Sequence, residues 1–199
     1  PKYRFDDPIG KGFQFNNTNK TLNYGLEFIK NHKNKKFFLY LMGYDLHFPY
    51  HSRYEDYFDP DYNQNIDYIY QRYIYPKYDY KVTNSSNKNE SHNNFNDPKN
   101  SFFKPEEIHH IIAHYDGGIL SDDELLGSFF YELNETGIMN KTIIVVFSNH
   151  GEDLFENGRL IHFYASYIVT RVPLIIYIPG AKPKSIDAPV DLARWSGRQ

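Results

Sequence analysis

The segment Thr142-Ile143-Ile144-Val145-Val146-Phe147-Ser148-Asn149-His150-Gly151-Glu152-Asp153, followed by Val172-Pro173-Leu174-Ile175-Ile176-Tyr177-Ile178-Pro179-Gly180, decides the fold. It reads as two hydrophobic strands separated by a polar turn. Continuous apolar runs of this length suit strands buried on both faces, as in a parallel sheet.

Upstream of the first strand, Pro105-Glu106-Glu107 opens a helix, with proline and acids in the first turn. Ile108, Ile111, Ile112, Tyr115, Ile119, Leu126, Phe129, Phe130 and Leu133 keep the helical period, and Gly137 ends it. Gly117 and Gly118 weaken its middle, so one long helix and a bent pair are both open. His109, His110 and His114, like Asp122, Asp123 and Glu124, are expected on the solvated helix surface. Further upstream, Phe37 to Gly43 is another apolar run of strand length. Pro49 stops its continuation, which puts His47 in a loop just past the strand end. Leu22, Leu26, Phe28 and Ile29 mark a helix from Lys20 to His32, with Thr18 or Asn19 as N-cap.

Residues 51–104 are rich in Tyr, Asp and Asn and lack a sustained period. They read as an irregular, partly disordered insertion with a low-complexity core from Asn84 to Asn100 and a short helical piece near Tyr68. Residues 1–17 read as loop, and Ile186 to Trp195 as the start of a helix. The order of helices and buried-type strands predicts an α/β fold, a mostly parallel sheet with helices on both faces, in one partial domain over residues 1–199. In such sheets ligands bind beyond the C-terminal strand ends. His47 and the cluster Ser148 to Asp153 both fall there.

Composition narrows the partners. Among 199 residues, 22 Lys+Arg against 25 Asp+Glu leave no basic excess for a nucleic-acid surface. The absence of cysteine excludes a disulfide framework and a thiolate metal site. No apolar run has the roughly 20 residues that span a bilayer. Nothing in the sequence assigns a compartment.

Asn149 offers an amide oxygen and His150 a neutral imidazole, and both donors bind divalent cations. The turn is also compatible with Asn and His satisfying local backbone groups. His47 and His162 are candidates through placement: one follows a strand end, the other lies in the same connection as His150. Converging imidazoles bind anionic oxygens or protonate a leaving group.

These pieces together resemble the sulfatases of the alkaline phosphatase superfamily. Tyr115-Asp116-Gly117-Gly118-Ile119, Asn140-Lys141-Thr142, the strand with Ser148-Asn149-His150-Gly151-Glu152, Val172 to Gly180, and the upstream Phe37 to Leu41 strand with His47-Phe48-Pro49-Tyr50 carry the resemblance. It covers about residues 24–50 and 105–190. It implies a sulfuric ester hydrolase acting on a small-molecule or carbohydrate sulfate ester, with attack by a formylglycine hydrate. By position, Asn149 and His150 match a strand-end pair that binds a divalent ion, commonly calcium, while His47 and His162 match residues contacting the sulfate or leaving group.

Two departures stand out. The family's leading Asp pair and its Cys/Ser-x-Pro-x-Arg nucleophile motif are expected N-terminal to everything seen here, and the sequence has no cysteine and no such serine motif, so the chain reads as an inactive fragment by itself. Asn149 stands where the family has Asp, which removes one negative charge and weakens calcium binding. A phosphoester or phosphonate hydrolase of the same superfamily, a phosphoethanolamine transferase and a degenerate non-catalytic domain are the competing readings.

Overall fold

Helix α1 (Thr18–His32) buries Leu22, Leu26 and Ile29 on one stripe. The computed structural model describes residues 18–73, 103–156, 158–162 and 165–190. The α1 N-terminus is satisfied from a distance: the Thr18 N–H donates to Asp45 Oδ1 at 3.1 Å. Thr18, expected as the cap, is the first helical residue. A carboxylate at this position pairs an orphan N–H and meets the positive end of the helix dipole. The loop carrying His47 is thereby tied to α1.

Phe37 to Gly43 runs extended but has no ladder partner among the described residues. Phe37, Leu39 and Leu41 pack inward, while Phe38 is 89% exposed and Tyr40 points outward. The run therefore alternates instead of being buried on both faces.

The glycine pair does not break the second long helix: α3 (Pro105–Glu135) is one continuous helix of 31 residues. Its N-terminus is closed by the Glu107 carboxylate, which accepts the Lys104 N–H at 2.8 Å. At its other end Gly137 takes φ 73°, the left-handed conformation that glycine adopts without a Cβ clash. Helix α2 (Ile66–Tyr73) lies in the expected place near Tyr68.

Strand β1 (Ile144–Phe147) pairs antiparallel with β4 (Leu174–Tyr177), from Ile144↔Tyr177 to Phe147↔Leu174. A hairpin of β2 (Asp153–Leu154) and β3 (Leu160–Ile161) lies between them in sequence. The expected mostly parallel sheet with helices on both faces is not present among the described residues. A parallel return needs a crossover of a dozen or more residues, usually a helix. Here the connection contains the hairpin and α4 (Tyr167–Thr170), a single turn, and the chain comes back reversed. β1 also alternates, with Val145 and Phe147 exposed, so it is covered on one side only.

Two clusters form the core. One joins Leu22, Leu26 and Ile29 of α1 to Phe129 and Leu133 of α3, with Leu39, Leu41 and Ile144 packed against it. Burial of each such side chain stabilises the fold by about 1.5–3 kcal/mol. The other joins Tyr50, Ile66, Ile69, Tyr70, Ile111 and Ile161. The first part of the predicted insertion is therefore core, with Ile69 and Tyr70 fully buried. Its low-complexity part, Asn84 to Asn100, lies outside the described residues, as do residues 1–17. The helix expected from Ile186 is absent over residues 186–190, which are exposed, and its remainder lies outside the described residues.

Candidate functional site

The C-terminal end of β1 leads into Ser148-Asn149-His150-Gly151-Glu152. The turn is shaped by close backbone approach. The Gly151 N–H donates to Val169 O at 2.7 Å, and a Cβ on Gly151 would sit 2.6 Å from Ile168 O. Gly151 does not have a positive φ. Its role is to let α4 pack against the turn, which directs His150 and Glu152 to the other side.

Three histidines converge there. The His150 and His162 rings stack with centroids 4.0 Å apart, and His47 meets His162 edge-on at 5.1 Å. Their Nδ1 partners are all acceptors. His47 Nδ1–H donates to Phe48 O at 2.7 Å, His150 Nδ1–H to Gly151 O at 3.0 Å, and His162 Nδ1–H to the Glu152 carboxylate. In a neutral ring this puts the lone pair on Nε2, the tautomer used by metal-ligating and proton-accepting imidazoles. His162 reaches the group because Ile161 takes φ 71°, a strained conformation for a β-branched residue.

Glu152 is the centre of the arrangement. Its side chain is 6% exposed, and one oxygen takes His162 while the other accepts the Tyr50 hydroxyl. Burial, then Glu152, pushes the Tyr50 hydroxyl well above its usual pKa, so it stays a donor. Tyr115, edge-on to Tyr50 at 5.2 Å, is pushed up to about 12 by burial and by Glu152. A buried carboxylate with two charge-assisted hydrogen bonds is rigid and anchors whatever it touches.

Of the residues singled out from the sequence, His47, His150 and His162 are brought together and Asn149 is not. Asn149 is exposed, and its Oδ1 accepts the His150 N–H at 3.2 Å. Glu152 and Tyr50, which the sequence reading does not single out, lie against this group, and both are in the quoted motifs. A glutamate two residues after the strand-end histidine, and a tyrosine closing His47-Phe48-Pro49-Tyr50, were the available signals. One donor atom each from His150, Glu152 and His162 lies within 4.8 Å of the others, a set that can hold a metal ion.

A second polar group sits behind the first. His110 and His114, expected on the surface, are 2% and 3% exposed. His110 Nδ1 pairs with Asp59 Oδ2 at 3.0 Å, and His114 Nδ1–H donates to Tyr50 O at 3.2 Å. Nearby on the same helix, a Cβ on Gly117 would lie 2.5 Å from Tyr54 O, so glycine there lets Tyr54 pack closely onto α3. Asp123 and Glu124 are exposed as expected, but Asp122 is half-buried.

The family to which the chain belongs implies an alkaline-phosphatase-like α/β fold, of which the described residues form helices and two small antiparallel strand pairs. The chain belongs to the sulfatase family, whose model, described as Sulfatase, matches residues 2–195. It is 33% identical over 91 residues to arylsulfatase K of Danio rerio, covering 45% of this chain and 17% of that protein. It is 30% identical over 80 residues to arylsulfatase K of Homo sapiens, covering 40% of this chain and 15% of that protein. Another similar protein, the multifunctional alkaline phosphatase superfamily protein PehA of Trinickia caryophylli, is 32% identical over 101 residues, or 46% of this chain and 20% of that protein. The matched part is thus at most a fifth of these relatives' lengths. No helix among the described residues is long and apolar enough to cross a membrane.

Proposed function

We propose that this chain is the part of a sulfatase-type hydrolase that binds the sulfate ester and a divalent ion, within one domain carrying an insertion at about residues 51–104. The observation that carries the reading is the convergence of His47, His150 and His162 around Glu152. The family resemblance implies calcium and a small-molecule or carbohydrate sulfate ester. When bound, a divalent ion offsets negative charge on the ester oxygens. His162, oriented by Glu152, and His47, oriented by the Phe48 carbonyl, supply imidazole nitrogens that bind a sulfate oxygen or protonate the leaving group. Tyr50 holds the Glu152 carboxylate in place and, with Tyr115, excludes water from it.

The chain contains no cysteine and no Ser-x-Pro-x-Arg motif, so residues 1–199 alone are expected to be inactive. The test is turnover of an aryl sulfate and a matched aryl phosphate by the full-length protein. Preferential sulfate release supports the reading. Phosphoester hydrolysis alone would move the assignment to the phosphoester and phosphonate hydrolases of the superfamily. Absence of both activities would favour a degenerate domain, the reading that the outward Asn149 favours.

A further inference from the structure

We infer that Asn134 and Asn140 are modification sites, each carrying an N-linked oligosaccharide on its side-chain amide. The inference goes beyond the hydrolase reading and does not depend on it.

The first observation lies in the sequence. Asn-x-Ser/Thr, with x other than proline, is the acceptor for N-linked glycans and belongs on the surface. The chain has 6 Thr and 19 Asn among 199 residues. At that frequency chance puts an Asn two positions before fewer than one of the six threonines. Four of the six have one: Asn16-Asn17-Thr18, Asn19-Lys20-Thr21, Asn134-Glu135-Thr136 and Asn140-Lys141-Thr142. The abundance of Asn therefore does not account for them.

The second observation is where the fold leaves these amides. Asn134 is exposed in the last turn of α3, and Asn140 is exposed in the one-turn helix Met139–Lys141 between α3 and β1. Asn19 is exposed too, but its amide oxygen accepts the Asn23 amide at 3.1 Å, and Asn16 lies outside the described residues. Both chosen sites stand before β1 begins at Ile144, while the histidines follow its other end at Phe147, so a bulky glycan leaves the histidine group open. Tyr131, 69% exposed, precedes Asn134 by three residues on the same helix, so the two are surface neighbours. Its ring offers an apolar face for the first sugar to pack on.

The donor is an oligosaccharide joined through diphosphate to a lipid. Asn Nδ2 attacks the anomeric carbon, the N–C bond forms, the C–O bond to the diphosphate breaks and the lipid diphosphate leaves. One Nδ2 proton passes to a base of the transferase. The Thr136 and Thr142 hydroxyls, part of the acceptor, donate to Leu133 O and Ile138 O in the folded chain, so transfer precedes closure of these turns.

The experiment takes the full-length protein from its own cells and digests it with peptide N-glycosidase in heavy-oxygen water, followed by peptide mass spectrometry. That enzyme turns each glycosylated Asn into Asp bearing heavy oxygen, and an undigested sample in the same water controls for spontaneous deamidation. The peptides holding Asn134 and Asn140 are expected to carry the label. The double variant Asn134→Gln, Asn140→Gln, made in the same cells, should run at a lower apparent mass by two glycans. Recovery of both peptides with plain, unlabelled Asn overturns the inference, as does an unchanged apparent mass of the double variant.

Discussion

The Tyr50 hydroxyl donates to the Glu152 carboxylate across 102 positions of sequence, and both side chains are buried. This bond joins the loop after the first extended run to the turn after β1, the two segments that carry the site histidines. Tyr50→Phe removes the donor and leaves the ring. Since a buried carboxylate deprived of a hydrogen bond costs about 1–3 kcal/mol, the variant should lose that much stability. Urea unfolding followed by tyrosine fluorescence measures it, and an unchanged midpoint would show that the bond contributes nothing.

His114 should make the fold sensitive to acid. Burial first, then the neighbouring His110, lowers its pKa below the ordinary 6.5, while Glu55 opposes and His51 adds to the lowering. The folded state thus binds protons less readily than the unfolded chain. Stability from this residue is present above pH 6.5 and is lost as pH falls below it. His114→Gln should flatten the loss of melting temperature between pH 7 and pH 5. A variant with the same slope as the parent protein would remove His114 as the cause.

Asp122 acts in the opposite sense. Burial, and then Asp45, raises its pKa from 3.8 to about 6. The folded state holds this proton more tightly than the unfolded chain, so the contribution is favourable at low pH and is lost as pH rises through about 6. Asp122→Asn should therefore raise the melting temperature above pH 6 and leave it nearly unchanged below pH 4. Equal gains at both extremes would contradict the assignment.

The two helical glycines Gly117 and Gly127 should respond oppositely to alanine. Alanine gains about 1 kcal/mol of helix propensity at either position. At Gly127 nothing lies within 4 Å of the added Cβ, so Gly127→Ala should stabilise. At Gly117 the Cβ meets the Tyr54 carbonyl at 2.5 Å, so Gly117→Ala should destabilise by about 1–3 kcal/mol through overpacking. Thermal melts of the pair decide it.

Asp153 is 1% exposed in β2, and neither carboxylate oxygen has a hydrogen-bond partner among the described residues. Asp153→Val keeps a strand-compatible shape and removes an unpaired buried acid. It should raise stability by about 1–3 kcal/mol in chemical denaturation. A loss instead would mean that the carboxylate is held by a group beyond the described residues.

Much of this was legible in the sequence because it rests on local chemistry. The α3 helix announced itself through Pro105, its apolar period and Gly137, and His47, His150 and His162 through their positions past strand ends. What failed depended on contacts remote in sequence. An apolar run such as Phe37 to Gly43 looks the same whether one or both faces are covered, so a buried parallel sheet was expected where the described strands alternate and pair antiparallel. His110 and His114 follow no apolar pattern, and partners remote in sequence cover them: Asp59 and Tyr62 on His110, and the Tyr50 carbonyl on His114. Asn149, a ligand position by order along the chain, is exposed and accepts the His150 N–H with its amide oxygen. Glu152 became visible as the centre only once Tyr50 and His162 were seen on its two oxygens.

The most direct measurement of the central claim, that the histidines around Glu152 form the ester-binding site, is kcat/KM for aryl sulfate hydrolysis by the full-length protein carrying His162→Ala, with the exposed His109→Ala as control. The account predicts a fall of about 100-fold or more for His162→Ala, the scale of a lost proton donor, and no change for His109→Ala. Equal activity of the His162→Ala variant and the parent protein would contradict it.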